Sequence, residues 1–298
     1  MQAPEKFRTG YVAIVGRPNV GKSTLLNALV GQKVSITSRK PQTTRQRISG
    51  ILTLKDAQLV FVDTPGFQTK HGSALNRGMN RVVTQSLAAV DVVVLVVEAL
   101  RFSPEDRALL ALLPAARPVL LAINKTDKLA ERRLLLPFIK QMAEQHPFAE
   151  IVPVSASKGH AITELARTLS GYLPEQAALY GADEITESSE RFLAAELIRE
   201  KLFRLLGDEL PYVSAVLVDR FVMDGALRRI EASIIVDKES QKGIVVGAKG
   251  AQLKAIATKA RIDMEKLFGG KVHLEVWVKV KSGWTENAQL LQQLGYGN

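Results

Sequence analysis

The chain has 298 residues, 46% apolar and 23% charged, with a formal net charge of +10 and no cysteine. That length suits two domains with sizeable cores, and the missing thiols exclude disulfides and thiolate metal sites. The longest apolar run, VDVVVLVVEAL, is too short to span a bilayer and carries Asp91 and Glu98, and MQAPEKFRTG holds no apolar signal region, so a soluble cytoplasmic protein is expected.

The first half alternates strands with helices. Short β-branched runs at 12–15, 59–62, 92–97, 119–123 and 151–154 read as strands, and helical patterns lie between them, as at 22–30 and 134–144. This predicts a mostly parallel α/β sheet covered on both faces. Within ISGILTLKDAQLVFV, the Lys55-Asp56-Ala57 turn predicts a hairpin and one antiparallel edge strand. The stretch LPEQAALYGADEITESSER lacks periodicity and reads as a joint. The predicted boundaries are a first domain at 1–173, a linker at 174–190 and a second domain with a C-terminal tail at 191–298.

In the second half, RFLAAELIREKLFRLL reads as a helix with Ser188 or Ser189 as N-cap and Gly207 as its stop. Two strands meet near Gly225. A helix, a glycine break and a longer helix follow, ending at Gly269-Gly270, and KVHLEVWVKV alternates like a strand. The predicted order is α-β-β-α-α-β. Charge is uneven. Residues 6–55 hold ten Lys or Arg and no Asp or Glu, residues 181–237 hold seven basic and twelve acidic residues, and residues 238–281 hold ten basic and four acidic. The last is a local basic patch suited to a polyanion.

Four motifs carry the chemistry. Gly16-x-x-x-x-Gly21-Lys22-Ser23 follows a strand and opens a helix, as a phosphate-binding P-loop must. Its glycines let backbone N–H groups point at phosphate oxygens, Lys22 reaches the β- and γ-phosphates, and the Ser23 hydroxyl is placed for Mg²⁺. In VFVDTPG, Asp63 ends a strand where a carboxylate supports Mg²⁺, and Gly66 can bring an N–H to the γ-phosphate. In LLAINKTD, Asn124 and Asp127 end a strand where open α/β sheets bind ligands. A carboxylate accepts from both N1–H and the 2-amino group of guanine, which adenine does not offer, so Asp127 selects GTP and GDP. Lys125 can lie along the base, and the Ser155-Ala156-Ser157 loop can offer an N–H to guanine O6.

Residues 33–47, KVSITSRKPQTTRQR, form a polar segment in which a Thr can close on Mg²⁺ when the γ-phosphate is present; Thr44 is favoured over Thr43. The catalytic candidates are therefore Lys22, Thr44 and Gly66, and the metal candidates Ser23, Thr44 and Asp63. Phe67 stands where Ras-like GTPases carry a water-orienting Gln, so slow intrinsic hydrolysis is expected. Asn19 either shapes the loop or binds a monovalent cation such as K⁺. The second glycine break, Gly247-Ala248-Lys249-Gly250, sits in the order of a type II KH domain, where such a loop clamps RNA backbone and neighbours such as Ile244 and Val245 floor the bases.

Taken together, GRPNVGKSTLLN, SRKPQTTRQRI, FVDTPG, NKTD, VSASKG, ITESSERFLAAELIREKL and QKGIVVGAKG resemble the Era family of bacterial GTPases with a C-terminal KH domain, over nearly the whole chain. The resemblance implies that Asn19, Val20, Gly21, Lys22, Ser23 and Thr24 hold phosphates and Mg²⁺. It implies that Asn124, Lys125 and Asp127 hold guanine, and that Gly247, Ala248, Lys249 and Gly250 contact RNA. It also implies a GTP/GDP switch that binds the 3′ end of 16S ribosomal RNA and assists 30S subunit assembly. A monomer is expected, in the cytoplasm and in part at the inner face of the membrane. The rival readings are a P-loop kinase or ATPase, a GTP-regulated protein-binding scaffold, and a membrane-associated GTPase.

Overall fold

A computed structural model describes residues 7–287 except 39, 41–42, 46, 68–73 and 208, together with Gln292; the side chains of 74–78 and, Gln292 apart, residues 288–298 of the predicted tail lie outside the described residues. The chain packs as two units. The first comprises Met1–Ser35, Thr44–Gly72 and Met79–Glu187, the second Ile36–Thr43, Ser73–Gly78 and Ser188–Asn298.

The first unit is built on β1 (Arg8–Val15), α1 (Lys22–Val30), β2 (Ile48–Thr53), β3 (Ala57–Asp63), α2 (Ala74–Ala88), β4 (Val92–Glu98), α3 (Pro104–Leu110), β5 (Val119–Asn124), α4 (Leu135–Ala143), β6 (Glu150–Pro153) and α5 (Ile162–Ser170). Its sheet runs β2-β3-β1-β4-β5-β6. All neighbours are parallel except β2 and β3, whose hairpin supplies the antiparallel edge. The central strands read as continuous apolar runs because both faces are covered: Val92 through Val97 are fully buried. The order changes direction beside β1, so the loops after β1, β3 and β5 gather at the carboxyl end of the sheet, where open α/β sheets bind ligands.

The segment read as a linker is bonded to this unit as far as Glu187. Thr9 N donates to Pro174 O at 3.1 Å, Gln176 N to Phe7 O at 3.1 Å and Ile51 N to Ile185 O at 2.9 Å. The buried Gln58 carboxamide accepts from Leu179 N (2.8 Å) and Tyr180 N (2.9 Å) and donates to Tyr180 O (2.9 Å). Main-chain pairing of this kind leaves no trace in composition, which is why 174–187 read as a joint.

The second unit contains α6 (Glu190–Leu205), β7 (Ser214–Asp224), β8 (Leu227–Val236), α7 (Glu239–Val246), α8 (Ala251–Phe268) and β9 (Val272–Val280), the predicted order. Ser189 caps α6 by accepting from Phe192 N at 3.2 Å. β7 and β8 pair antiparallel and β8 and β9 parallel, in the order β7-β8-β9. Leu197, Ile198 and Leu202 of α6 and Ile256, Ala260 and Met264 of α8 cover one face with Ile230, Ala232 and Ile234 of β8. After β9 the chain buries Trp284 completely, its indole N–H donating to Val213 O at 2.9 Å.

Four charged side chains of α6 are buried, and each has an opposite partner, as burial of charge requires. Arg199 pairs with Glu196 at 2.6 Å, Lys201 with Glu200 at 2.8 Å and with Asp263. Glu200 also accepts from Thr37 N at 3.1 Å, and Lys40 Nζ donates to Leu206 O at 2.7 Å. Residues Ile36–Thr43, placed by sequence in the first domain, therefore belong by packing to the second unit. Among the described residues no helix is long and apolar enough to cross a membrane.

Candidate nucleotide site and RNA loop

The P-loop is shaped by Asn19 (φ 64°) and Gly21 (φ 102°), both left-handed, before α1 begins. A Cβ at Gly21 would collide with the Asn124 carboxamide, so glycine is needed for space as well as for φ. α1 has no side-chain cap at its N-terminus and no acidic residue in its first turn. Helices usually satisfy those N–H groups with Ser, Asp or Asn; here they and the dipole are left for an anion. Lys22 Nζ lies buried against the loop's own carbonyls, 3.0 Å from Gly16 O and 3.1 Å from Arg17 O. Burial lowers its pKa to about 8, against the raising charge of Asp63.

The metal candidates come together. Asp63 Oδ2 accepts from Ser23 Oγ at 2.7 Å, Ser35 Oγ at 3.0 Å and Thr44 Oγ1 at 3.3 Å, and Ser23 Oγ lies 2.9 Å from Thr44 Oγ1. Thr43 is not in this cluster; its hydroxyl donates to Lys40 O at 2.8 Å. Thr44 is the one of the two threonines that lies beside Ser23 and Asp63. Asp63 is fully buried, and burial raises its pKa while Lys22 and the three hydroxyls oppose the rise. Its Oδ1 is buried with no hydrogen-bond partner. One carboxylate with a spare oxygen beside three hydroxyls suits a hard divalent cation that completes its shell from phosphate and water. Ser35 was not singled out by motif. It is set by Asn27 of α1, whose Oδ1 accepts from Val34 N and Ser35 N, both at 2.9 Å.

Gly66 packs against the P-loop so closely that a Cβ would lie 2.8 Å from Pro18. The next amide, Phe67 N, donates to Gly16 O at 3.4 Å, and the Phe67 side chain packs on the first unit's core. Phe67 therefore presents no polar group to a water.

The base loop is equally ordered. Asn124 is almost fully buried and ties two loops together: Nδ2 donates to Val20 O at 2.8 Å, and Oδ1 accepts from Ala156 N at 3.0 Å. Asp127 is exposed enough to meet a base. Ser155 Oγ donates to its Oδ1 at 2.5 Å and Ser157 Oγ to its Oδ2 at 3.3 Å. The Ser155 bond is the chief reason its pKa is lowered, so Asp127 is an ionised acceptor at neutral pH. Thr126, which no motif marked, fixes this loop by donating to Val154 O at 2.9 Å.

In the second unit, Gly247-Ala248-Lys249-Gly250 joins α7 to α8. Three of its residues have positive φ: Gly247 (70°), Lys249 (50°) and Gly250 (78°). A Cβ at Gly247 would lie 2.6 Å from Gln252 Cβ, whereas at Gly250 it would meet nothing within 4 Å. Ala248 and Lys249 are exposed, and Ile244 is 57% exposed beside them. Val245 is not available: it is fully buried in the core. Consecutive helix residues point about 100° apart, so Ile244 and Val245 cannot share a face. Ile262, further along α8, is 52% exposed. It falls on a helical row with the exposed Lys254 and Thr258, at i, i+4, i+8 spacing.

Comparison with known proteins finds a match for each half of the chain. Residues 11–125 match a family described as 50S ribosome-binding GTPase, and residues 209–285 match the KH domain family. A GTPase Era of Nitrosomonas eutropha is 56% identical over 290 residues, covering 97% of this chain and 98% of that one. A GTPase Era of Chromobacterium violaceum is 55% identical, with the same coverage. Two solved structures superpose with TM-scores of 0.94 at 40% identity, each covering 98% of this chain and 100% of the other. One is an Aquifex aeolicus Era variant bound to GDP.AlF4-, the other Era in complex with MgGDPNP and nucleotides 1506–1542 of 16S ribosomal RNA.

Proposed function

The chain belongs to the Era family of GTPases, and from that premise we propose that it is a GTP/GDP switch that binds the 3′ end of 16S ribosomal RNA and assists assembly of the 30S subunit. The observation that carries the RNA reading is the strained Gly247-Ala248-Lys249-Gly250 hairpin in a KH fold on the same chain as the nucleotide site.

In this reading α1's free N–H groups and Lys22 hold the phosphates, and Asn19 and Thr24 flank them. Ser23, Thr44 and Asp63 would hold Mg²⁺, which when bound neutralises charge across the β- and γ-phosphates. Lys22 stabilises the charge that grows on the leaving oxygen, and Gly66, which packs against Pro18 of the P-loop, is the residue whose N–H this reading gives to the γ-phosphate. With Phe67 packed inward, intrinsic hydrolysis is slow and depends on a further group. Asn19 is exposed and left-handed, which serves loop shape and leaves its carboxamide open to K⁺. The chain acts as a monomer in the cytoplasm, and any contact with the inner membrane is peripheral.

The switch reading is supported by Thr37, Lys40 and Thr44 of the segment 33–47. Thr44 sits in the metal cluster, while Thr37 and Lys40 are bonded within the second unit. The test uses a labelled RNA of about 12 nucleotides from the 16S 3′ end, about three times what a KH loop clamps. Binding is expected to be tighter with a non-hydrolysable GTP analogue than with GDP, and the preference of the protein for the GTP analogue over GDP must rise by the same factor when RNA is present. Equal RNA affinity in both forms would exclude nucleotide control. A flat salt dependence would favour the protein-binding scaffold, since phosphate contacts give a slope of about −0.7 per phosphate for single strands.

Lys22 makes nucleotide binding pH-dependent. Its pKa of about 8 lies below the usual 10.5 because of burial, and bound phosphate raises it again. Binding therefore takes up protons above that pH, and affinity for GDP falls as pH rises through about 8. Calorimetry near pH 8.5 in two buffers of different ionisation enthalpy should show this uptake. No uptake would mean that Lys22 is already fully charged in the free protein.

A further inference from the structure

The end of β4 carries a carboxylate that belongs to none of the motifs. Glu98 Oε1 accepts from Lys125 Nζ at 3.1 Å, and Glu98 Oε2 accepts from Arg17 Nη2 at 3.1 Å. Arg17 Nε donates to Asp106 Oδ2 at 3.1 Å, and its carbonyl accepts from Lys22 Nζ. Asp106 is fully buried and accepts from Ser103 N and Ser103 Oγ, both at 2.9 Å, where Ser103 caps α3. A continuous line of charge-assisted hydrogen bonds thus runs from the lysine of the phosphate loop to the lysine of the base loop. Burial alone would raise the Glu98 pKa, but Lys125 and Arg17 hold it below the usual range.

Lys125 needs such a hold. Its backbone is left-handed (φ 66°), and its side chain is among those with most rotamer freedom to lose on binding. A tether that orders it beforehand removes that cost from nucleotide binding.

We infer that Glu98 is a positioning residue for base recognition: it holds Lys125 Nζ so that the side-chain stem lies along the guanine plane beside Asp127, and Arg17 and Asp106 hold Glu98 in turn. The inference rests on the assignment of Lys125 and Asp127 to guanine. A plain ion pair between strands would serve stability; this arrangement serves affinity through one named partner. Because each oxygen takes a different cation, Gln in place of Glu98 satisfies only one.

The test is GDP affinity and GTP turnover in the full chain with Glu98→Ala, Lys125→Ala and the double variant, and with Glu98→Gln alone and on Lys125→Ala. Loss of a hydrogen bond to a charged group predicts that Glu98→Ala weakens GDP about 10-fold, with KM for GTP raised and kcat unchanged. On Lys125→Ala, adding Glu98→Ala should cost less than about 2-fold, because coupled residues are non-additive. Glu98→Gln should fall between wild type and Glu98→Ala. Additive losses overturn the inference while leaving the guanine reading intact. If Lys125→Ala leaves GDP affinity unchanged, the guanine assignment of Lys125 fails, and this inference with it. Should Glu98→Ala unfold the protein, Glu98→Gln decides: a loss of affinity that disappears on Lys125→Ala supports positioning, and one that persists refutes it.

Discussion

Replacing Asp127 with Asn should turn the nucleotide site from guanine toward xanthine. The ionised carboxylate accepts from the guanine N1–H and 2-amino groups, and it can do so because Ser155 and Ser157 hold it in place without neutralising it. Asn brings an N–H₂ that repels the guanine 2-amino group and suits the C2 carbonyl of xanthine. A site built to bond a polar edge rejects the wrong edge by roughly 10⁴-fold or more, because the polar groups that the bound nucleotide covers are left unpaired. GTP affinity should fall by about that order while XTP affinity rises. The fold should tolerate the change, since both serine hydroxyls can rotate to accept as readily as they donate. Competition between GTP, XTP and ATP checks this. An unchanged preference for GTP, or a gain for ATP, would sink the guanine assignment and favour the kinase or ATPase reading.

The second large effect concerns the hairpin between α7 and α8. Gly250→Asp and Gly247→Asp should each abolish tight RNA binding, but for partly different reasons. At Gly250 a side chain meets open space, and Asp tolerates the left-handed backbone, so the fold should survive with a loss of about 1 kcal/mol. What is lost is electrostatic: a carboxylate about 4 Å from an RNA phosphate costs roughly 1 to 4 kcal/mol, or about 5- to 1000-fold in affinity. At Gly247 a Cβ runs into Gln252, so Asp there also strains the turn, by about 1 to 3 kcal/mol. The useful comparison is RNA affinity against thermal stability. Gly250→Asp should lose RNA with little change in Tm, and Gly247→Asp should lose both. If Gly250→Asp binds RNA as wild type does, the basic patch binds polyanions without a groove, and the KH reading of this loop fails.

Much of this was legible in the primary structure because the signals are local. A P-loop must be a glycine turn between strand and helix, so GRPNVGKST announces itself, and α1 begins and ends where its pattern says. Strands buried on both faces show as apolar runs, and those runs lie within the observed β1 and β3 to β5. Type II KH order was readable because each element has its own period and the breaks fall at glycines. Asp63 and Asn124 stood out because each ends a strand, and Asp127 because it follows β5 by three residues, at the edge where this fold binds ligands.

Other features depend on contacts between residues far apart in the chain, and no local pattern encodes them. Nothing in KPQTT tells Thr43 from Thr44; only the approach of Ser23 and Asp63 does. Val245 reads like Ile244 until the core claims one and leaves the other in solvent. The stretch after Leu173 looks like a joint because its bonds are made by main chain, to Phe7, β1 and β2 and to the Gln58 side chain. Glu98 and Arg17 are ordinary charges in sequence and become one line of hydrogen bonds only when β4, β5 and the P-loop are brought together. Motifs and periods are properties of neighbouring residues and survive in the unfolded chain. Which hydroxyl meets a carboxylate, and which carboxylate meets a lysine, is settled when the sheet forms and brings the loops to one edge.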